Sequence, residues 1–294
     1  MPVAAVLGWP LAHTLSPALH QAAYRAAGLD DWTYLARPTR PEDLAAALDE
    51  VRSGAVAGVN LTTPHKQAAA ALVDLLERPA DRLGAVNTVF VREGRLVGGN
   101  TDVAGAVWAL GSQLGLRDGR WSGAGPAVLL GTGGVALAVA FAWGRLAAAR
   151  RDQGLPVAPL QVAGRDAARA ATAAGLAGPG ARAVDWAGAA ELVAAADVVL
   201  QATTLTARGE PIPGQDRLRP GVRVLDCNYG PASQGLVEAA RSAGAAAAAD
   251  GLGMLCAQAA GAVVKIARIR PDLVAMAAAV GLPWPAPGPP PGLI

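Results

Sequence analysis

Apolar and polar positions in the first hundred residues follow two spacings in turn. Val3 to Leu7 is a short apolar run closed by Gly8, and Trp32 to Ala36 alternates with a period of two; both read as strands. Between them, Pro17 to Ala27 carries apolar residues at helical steps and ends at Gly28. Pro41 to Val51 reads as a second helix entered through proline, Val56 to Leu61 as a third strand, and Pro64 to Leu76 as a further helix. This β-α-β-α rhythm predicts an α/β layer with mostly parallel strands. Ala85 to Val91 and Arg95 to Val97 flank Arg92-Glu93-Gly94 as a hairpin, and a helix from Val103 to Leu114 leads away from Asp102.

The rhythm restarts at Ala127: strand 127–130, a glycine turn, helix 135–150, strand 158–163, helix 166–175, strands 197–201 and 222–226, and helix 233–243. The fold class is therefore α/β, with two domains at 1–102 and 103–250. The apolar helix Leu252 to Ile269 comes too late for the second sheet, so 251–282 is expected to return to the first domain. Ala245 to Ala249 reads as compositional bias, and 283–294 as a proline-rich tail.

A chain of 294 residues suits two domains, and 52% hydrophobic with 16% charged residues excludes a disordered chain. The net charge is +2 and the arginines are spread along the chain, so no nucleic-acid partner is expected. Cys227 and Cys256 form no C-x-x-C, which argues against a disulfide framework or zinc site and fits a cytoplasmic protein. No basic segment precedes the first strand, as a secretory signal would require. The uncharged run Ala127 to Gly144 has the length of a membrane span, but Gly131, Gly133 and Gly134 break it into strand, turn and helix, so no membrane partner is expected.

That turn, Gly131-Thr132-Gly133-Gly134-Val135, places glycines between a strand and a helix, where backbone N–H groups and the helix dipole favour a phosphate. A tight structural turn would look the same. At the end of the next strand, Arg165 and Arg169 stand one helical turn apart, spaced to clamp a 2′-phosphate. Asp166 between them could accept from a free 2′-hydroxyl, pair with either arginine, or simply begin a helix.

Lysine is nearly absent: 23 of the 25 cations are Arg. An ammonium can be moved toward neutrality by its surroundings, whereas a guanidinium stays charged, so a position that must trade a proton resists replacement by Arg. Lys66 is the candidate. Lys265, in Val263-Val264-Lys265-Ile266, has no polar sequence neighbour to suggest a role. Around Lys66, polar groups close apolar segments: Thr14, Ser16, Asn60, Thr62, Asn87 and Asp102. Singly each reads as a cap or turn residue; together they describe a pocket for a small polyhydroxylated ligand, with Asp102 placed to hold an ammonium.

The ordered motifs Gly8-Trp9-Pro10-Leu11-Ala12-His13-Thr14-Leu15-Ser16, Asn60-Leu61-Thr62-Thr63-Pro64-His65-Lys66, Gly84-Ala85-Val86-Asn87-Thr88, Asn100-Thr101-Asp102 and Asp250-Gly251-Leu252-Gly253 through Gln258 resemble those of the shikimate dehydrogenase family. The resemblance implies an N-terminal substrate domain joined to a Rossmann-type dinucleotide-binding domain, and NADP(H)-dependent interconversion of 3-dehydroshikimate and shikimate. It implies Lys66 and Asp102 as catalytic residues and Thr14, Ser16, Asn60, Thr62, Asn87, Tyr229 and Gln258 around the substrate. Gly131, Gly133, Gly134, Val135, Arg165, Asp166, Arg169, Thr203 and Gly251 would serve the cofactor. No metal is implied, and the protein would be a monomer or homodimer.

The sequence departs from the family pattern mainly in its cofactor half. Gly164-Arg165-Asp166 replaces Asn-Arg-Thr, Gln201-Ala202-Thr203 replaces Asn-Ala-Thr, and the usual Gly-Met is absent after Thr203. In the substrate loop, Thr14 replaces serine. These changes keep open an NAD(H)-using dehydrogenase of quinate or an aminoshikimate, and a family member that binds without turnover.

Overall fold

The structure, a computed structural model, describes residues 1–11, 14–117 and 121–284. The expected proline-rich tail lies outside the described residues from position 285 onward. Two compact units emerge: Met1–Gly105 with the chain from Leu255 onward, and Ala106–Met254.

In the first unit the elements run β1 (Val3–Gly8), α1 (Ser16–Ala26), β2 (Thr33–Pro38), α2 (Leu44–Arg52), β3 (Gly58–Leu61), α3 (His65–Ala68), β4 (Leu75–Leu76), α4 (Ala80–Leu83), β5 (Thr88–Arg92) and β6 (Arg95–Gly99). Helix α5 (Asp102–Trp108) follows. The sheet order is β2-β1-β3-β5-β6-β4. Five of the six strands run the same way, as the sequence leads one to expect; β5 alone is reversed, running against β3, and the Glu93-Gly94 turn, with φ of 52° and 72°, folds β6 back on it. One face of the sheet packs Leu44, Leu48 and Val51 of α2; the other packs Leu19, Ala23 and Tyr24 of α1 together with Cys256, Ala259 and Val263.

The helix expected over 64–76 stops after one turn. Ala69–Ala71 continue as a 3-10 turn, and only the last two residues, Leu75–Leu76, become β4, which pairs with Val97 and Gly98 of β6, while the Asp74 carboxylate accepts from Leu96 N at 2.7 Å. An open sheet edge thus overrides the helical pattern at the two leucines, while the alanines before them stay helical.

The second unit contains β7 (Ala127–Leu130), α6 (Gly134–Asp152), β8 (Leu160–Gly164), α7 (Ala167–Ala177), β9 (Arg182–Asp185), α8 (Ala189–Ala195), β10 (Val198–Gln201), β11 (Arg223–Asp226), α9 (Gln234–Ser242) and β12 (Ala247–Ala249). The order β12-β11-β10-β7-β8-β9, parallel throughout, is that of dinucleotide-binding sheets, with the strand order reversing between β7 and β10. The alanine run read as bias supplies β12; alanine carries no strand signature, and pairing with Arg223–Leu225 fixes it. Helices α6 and α7 pack closely at Gly144, where a Cβ would fall 2.7 Å from Leu176 O.

Two further helices, α10 (Leu252–Ala267) and α11 (Leu273–Ala278), complete the chain. The long segment after Arg150 is pinned by that buried guanidinium, which donates to Leu116 O, Trp121 O and Pro156 O at 2.9–3.0 Å. Among the described residues no helix is long and apolar enough to cross a membrane, the uncharged run at 127–144 being β7, turn and part of α6.

Candidate active site

Strand direction brings the site residues of the first unit to one edge. Strands β1 and β3 are parallel, and β5 runs against both β3 and β6, so β1, β3 and β6 end where β5 begins. Thr62, Lys66, Asn87 and Asp102 come from three separate connections at that edge.

Lys66 lies in the single turn of α3, whose backbone is tied to the approach to β5 by Val86 N donating to Lys66 O at 2.7 Å. Its Nζ donates to Asp102 Oδ2 at 2.6 Å, with side chains only 13% and 7% exposed. So little solvent leaves the ion pair weakly screened and geometrically fixed. The other oxygen, Oδ1, accepts from Asn87 Nδ2 at 2.9 Å, so each carboxylate oxygen has its own donor. Gln258, on α10, accepts through Oε1 from Asn87 Nδ2 at 3.3 Å and from Thr101 Oγ1 at 3.2 Å.

The hydroxyls divide into engaged and available. Thr14 Oγ1 accepts from Ser16 N at 3.3 Å, bending the chain into α1. Ser16 is buried at the first position of that helix, and neither its hydroxyl nor that of Thr62 has a hydrogen-bond partner among the described residues. Glycine is required at position 8 because a Cβ there would lie 2.4 Å from Thr62 Cγ2. Asn60, by contrast, is committed within the protein: Nδ2 donates to Asn87 O and Thr88 Oγ1, and Oδ1 accepts from Tyr34. Ala12 and His13 of the first motif lie outside the described residues.

In the second unit all strands run the same way, so Gly131, Arg165, Thr203, Tyr229 and Gly251 follow carboxyl ends along one edge. Gly131 has φ of +114°, and a Cβ on it would meet Ala202 O at 2.9 Å, whereas Gly133 has open space around its Cα. The turn therefore leaves the start of the 19-residue α6, Gly134 and Val135, clear for a phosphate. Asp166 proves to be the N-cap of α7: its Oδ1 accepts from Arg169 N at 3.0 Å. Exposed Arg165 forms no hydrogen bond or ion pair among the described residues. An engaged carboxylate beside an unengaged guanidinium fits a 2′-phosphate better than a 2′-hydroxyl.

Thr203 closes a turn on Gln201, with Gln201 Nε2 donating to Thr203 Oγ1 at 2.8 Å. Gly251 donates its N–H to Asn228 O at 2.8 Å, and a Cβ on it would lie 2.3 Å from Cys227 O. Tyr229 is half-buried after β11.

Several organising residues escape a sequence reading. Asn228 Nδ2 reaches Thr203 O at 2.7 Å and Thr206 Oγ1 at 2.8 Å, joining the loops after β10 and β11. Asp226 is fully buried; burial pushes its carboxyl above the usual range, and its Oδ1 accepts from Asn228 N at 2.9 Å. An aspartate two residues before an asparagine at a strand end was the available signal. His65 is buried with Nε2 placed 2.8 Å from Thr39 O, anchoring the turn that carries Lys66. Lys265 also has a partner, Glu77 Oε2 at 2.6 Å, so its retention answers to an ion pair absent from its local sequence.

Residues 6–89 match the family model described as the shikimate dehydrogenase substrate binding domain. The shikimate dehydrogenase (NADP(+)) of Citrifermentans bemidjiense is 38% identical over 87% of this chain and 86% of its own length. A crystal structure of shikimate 5-dehydrogenase from Thermus thermophilus in complex with NADP(H) and shikimate superposes with a TM-score of 0.74 at 37% identity, covering 95% of this chain and 98% of that one. Quinate dehydrogenase from Corynebacterium glutamicum in complex with NAD gives a TM-score of 0.79 at 30% identity, with coverage of 95% and 98%. With this identity sustained over most of both chains, and Lys66 paired to Asp102, the chain belongs to the shikimate dehydrogenase family.

Proposed function

We propose that this protein is an NADP-dependent shikimate dehydrogenase, reducing 3-dehydroshikimate reversibly to shikimate. The observation that carries the reading is the weakly screened Lys66–Asp102 pair at 2.6 Å, together with the hydroxyls of Ser16 and Thr62, which have no hydrogen-bond partner among the described residues.

Ser16 and Thr14 stand at the amino end of the 11-residue α1, where the helix dipole and free N–H groups favour an anion, so they receive the substrate carboxylate. Thr62 and Gln258 face the ring hydroxyls, and Asn87, its amide engaged by Thr88, Thr101 and Asp102, orients the Lys66–Asp102 pair. Asn60 acts on Asn87 rather than on the substrate, since its own amide is fully engaged. Lys66, hydrogen-bonded to Asp102, donates a proton to the C3 oxygen as the carbonyl is reduced and takes it back in the oxidative direction. Asp102 keeps Nζ aimed and compensates its charge while the proton is on it. The turn at Gly131–Val135 would hold the pyrophosphate and Arg165 the 2′-phosphate of NADP, which when bound supplies the hydride. Thr203, Asn228 and Gly251 shape the strand ends beside it.

Steady-state rates with shikimate and quinate, each with NADP and NAD, test the assignment. The expected order places shikimate with NADP first by at least tenfold, with turnover abolished in Lys66→Ala. A preference for quinate with NAD would replace the assignment by the quinate enzyme. Shikimate binding without turnover in any combination would leave only a binding protein.

A further inference from the structure

We infer that Tyr34 is a positioning residue for the proton-transfer pair: its hydroxyl begins a buried chain of hydrogen bonds that runs in one direction, through Asn60, Thr88 and Asn87, to Asp102, which also accepts from Lys66. The inference rests on the proposed role of that pair and adds a residue that makes no contact with it.

The links are short and continuous. Tyr34 Oη donates to Asn60 Oδ1 at 2.7 Å, Asn60 Nδ2 to Thr88 Oγ1 at 3.0 Å, and Thr88 Oγ1 to Asn87 Oδ1 at 2.9 Å. Asn87 Nδ2 then donates to Asp102 Oδ1 at 2.9 Å, and Asp102 Oδ2 accepts from Lys66 Nζ at 2.6 Å.

Backbone groups fix the direction at two points. Asn60 Nδ2 also reaches Asn87 O at 3.1 Å; a carbonyl oxygen can only accept, so the Asn60 amide cannot turn over without opposing two oxygens. Its Oδ1 must therefore face Tyr34, which makes the phenol the donor. Asn87 Oδ1 accepts from Thr101 N at 2.8 Å, and a backbone N–H can only donate, so Asn87 Nδ2 must face Asp102. Thr88, which accepts from Asn60, has one proton, and Asn87 Oδ1 at 2.9 Å is its nearer acceptor, Thr101 Oγ1 lying at 3.5 Å. Every orientation between Tyr34 and the carboxylate is thus determined.

The surroundings allow no substitute partners from solvent. Tyr34, Asn60, Thr88, Asn87 and Asp102 are all buried. The Tyr34 ring is stacked on His20 with centroids 3.9 Å apart and planes at 18°, which restrains its swing. Burial, with a smaller contribution from Tyr24, raises the Tyr34 phenol well above its ordinary range and keeps it protonated as a donor. Such chains are cooperative, so a break at one end loosens the other.

The test is a cycle of Tyr34→Phe, Asn60→Leu and the double variant, with kcat, KM for shikimate and thermal midpoint measured for each, beside Lys66→Ala. Tyr34→Phe deletes one oxygen and leaves Asn60 Oδ1 buried without a donor. The expected result is a kcat about tenfold lower with KM within about twofold, the size of one unmet buried acceptor felt at the reacting groups. In the Asn60→Leu background the same change should lower kcat by less than about twofold, since its route is already cut. Thr88→Val, which breaks the chain one link nearer Asp102, should reproduce the kcat loss and serves where Tyr34→Phe yields no folded protein. A merely structural Tyr34 would lower the thermal midpoint and leave kcat of the folded enzyme unchanged. That outcome, or multiplicative losses in the double variant, overturns the inference while Lys66→Ala remains inactive. Turnover surviving in Lys66→Ala overturns the proposed function and this inference with it.

Discussion

Asp102 receives two donors, Lys66 Nζ on Oδ2 and Asn87 Nδ2 on Oδ1, at 2.6 and 2.9 Å. Asp102→Asn keeps the volume but offers one oxygen and one NH2 group. Whichever way that amide turns, one donor faces another donor: either the ammonium loses its acceptor or Asn87 does, and Asn87 cannot turn because Thr101 N holds its Oδ1. A lost hydrogen bond to a charged group is worth about 1.5–3 kcal/mol. At about 1.4 kcal/mol per tenfold in rate, kcat/KM should fall about 10- to 150-fold. The Lys66 and Asp102 side chains, 13% and 7% exposed, have little solvent to make up the deficit, which places the expectation toward the upper end. The assay is the initial rate of shikimate oxidation followed by absorbance of the reduced nicotinamide, with the thermal midpoint recorded to show that the variant is folded. A folded variant with kcat/KM within about threefold of the parent would refute the geometric reasoning, since no orientation of the amide satisfies both neighbours.

Three other expectations concern separate parts of the molecule. Burial opposes ionisation of Glu77, but hydrogen bonds and charges from Lys265 and Arg92 outweigh it and hold the carboxyl below its ordinary range. Its contribution is therefore present above the unfolded value of 4.5 and is lost as pH falls through the lower folded value; Glu77→Gln should cost about 1 kcal/mol at neutral pH, and the gap in denaturant titrations should close in acid. Burial lowers the His20 pKa from 6.5 to about 3, so as pH drops below 6.5 the unfolded chain takes up a proton that the folded one refuses. His20→Phe should remove about 2 kcal/mol of the stability loss between pH 7 and 5, and an unchanged slope would reject this assignment. Arg165→Ala should raise KM for NADP about tenfold or more while leaving KM for NAD within about twofold, and equal effects on both would show that the guanidinium does not read the 2′-phosphate.

What could be read from the chain depended on how local the cause was. The turn at Gly131–Gly134 lies between its own strand and helix, and the strand at 127–130 is bounded as its apolar run indicates. Lys66 stood out through the near absence of lysine, and the family motifs named Asp102, but only strand direction brings them together. Features fixed by distant partners were invisible. Lys265 meets Glu77 across 188 positions, Ala247–Ala249 becomes a strand because β11 offers it an edge, and Leu75–Leu76 leaves a helical pattern because β6 does the same. Asp166 could have served a ribose or a helix, and its Oδ1 caps the helix by accepting from the backbone N–H of Arg169, a contact that its sequence position alone does not reveal. Asn60 sits in a recognisable motif, yet its engagement with Tyr34 and Thr88 joins segments 26 and 28 residues away, which no spacing rule reports.

The scarcity of lysine has a practical side. Besides the amino terminus, the chain presents just two primary amines, and both lie in ion pairs, with Asp102 and Glu77. Among its side chains, acylating reagents, biotin esters and amine-reactive surfaces will therefore find almost nothing to attach to except, slowly, the two sheltered ammonium groups. Slow labelling of Lys66 can thus report on access to the reaction centre, with shikimate as the protecting agent and Lys265 as the internal reference.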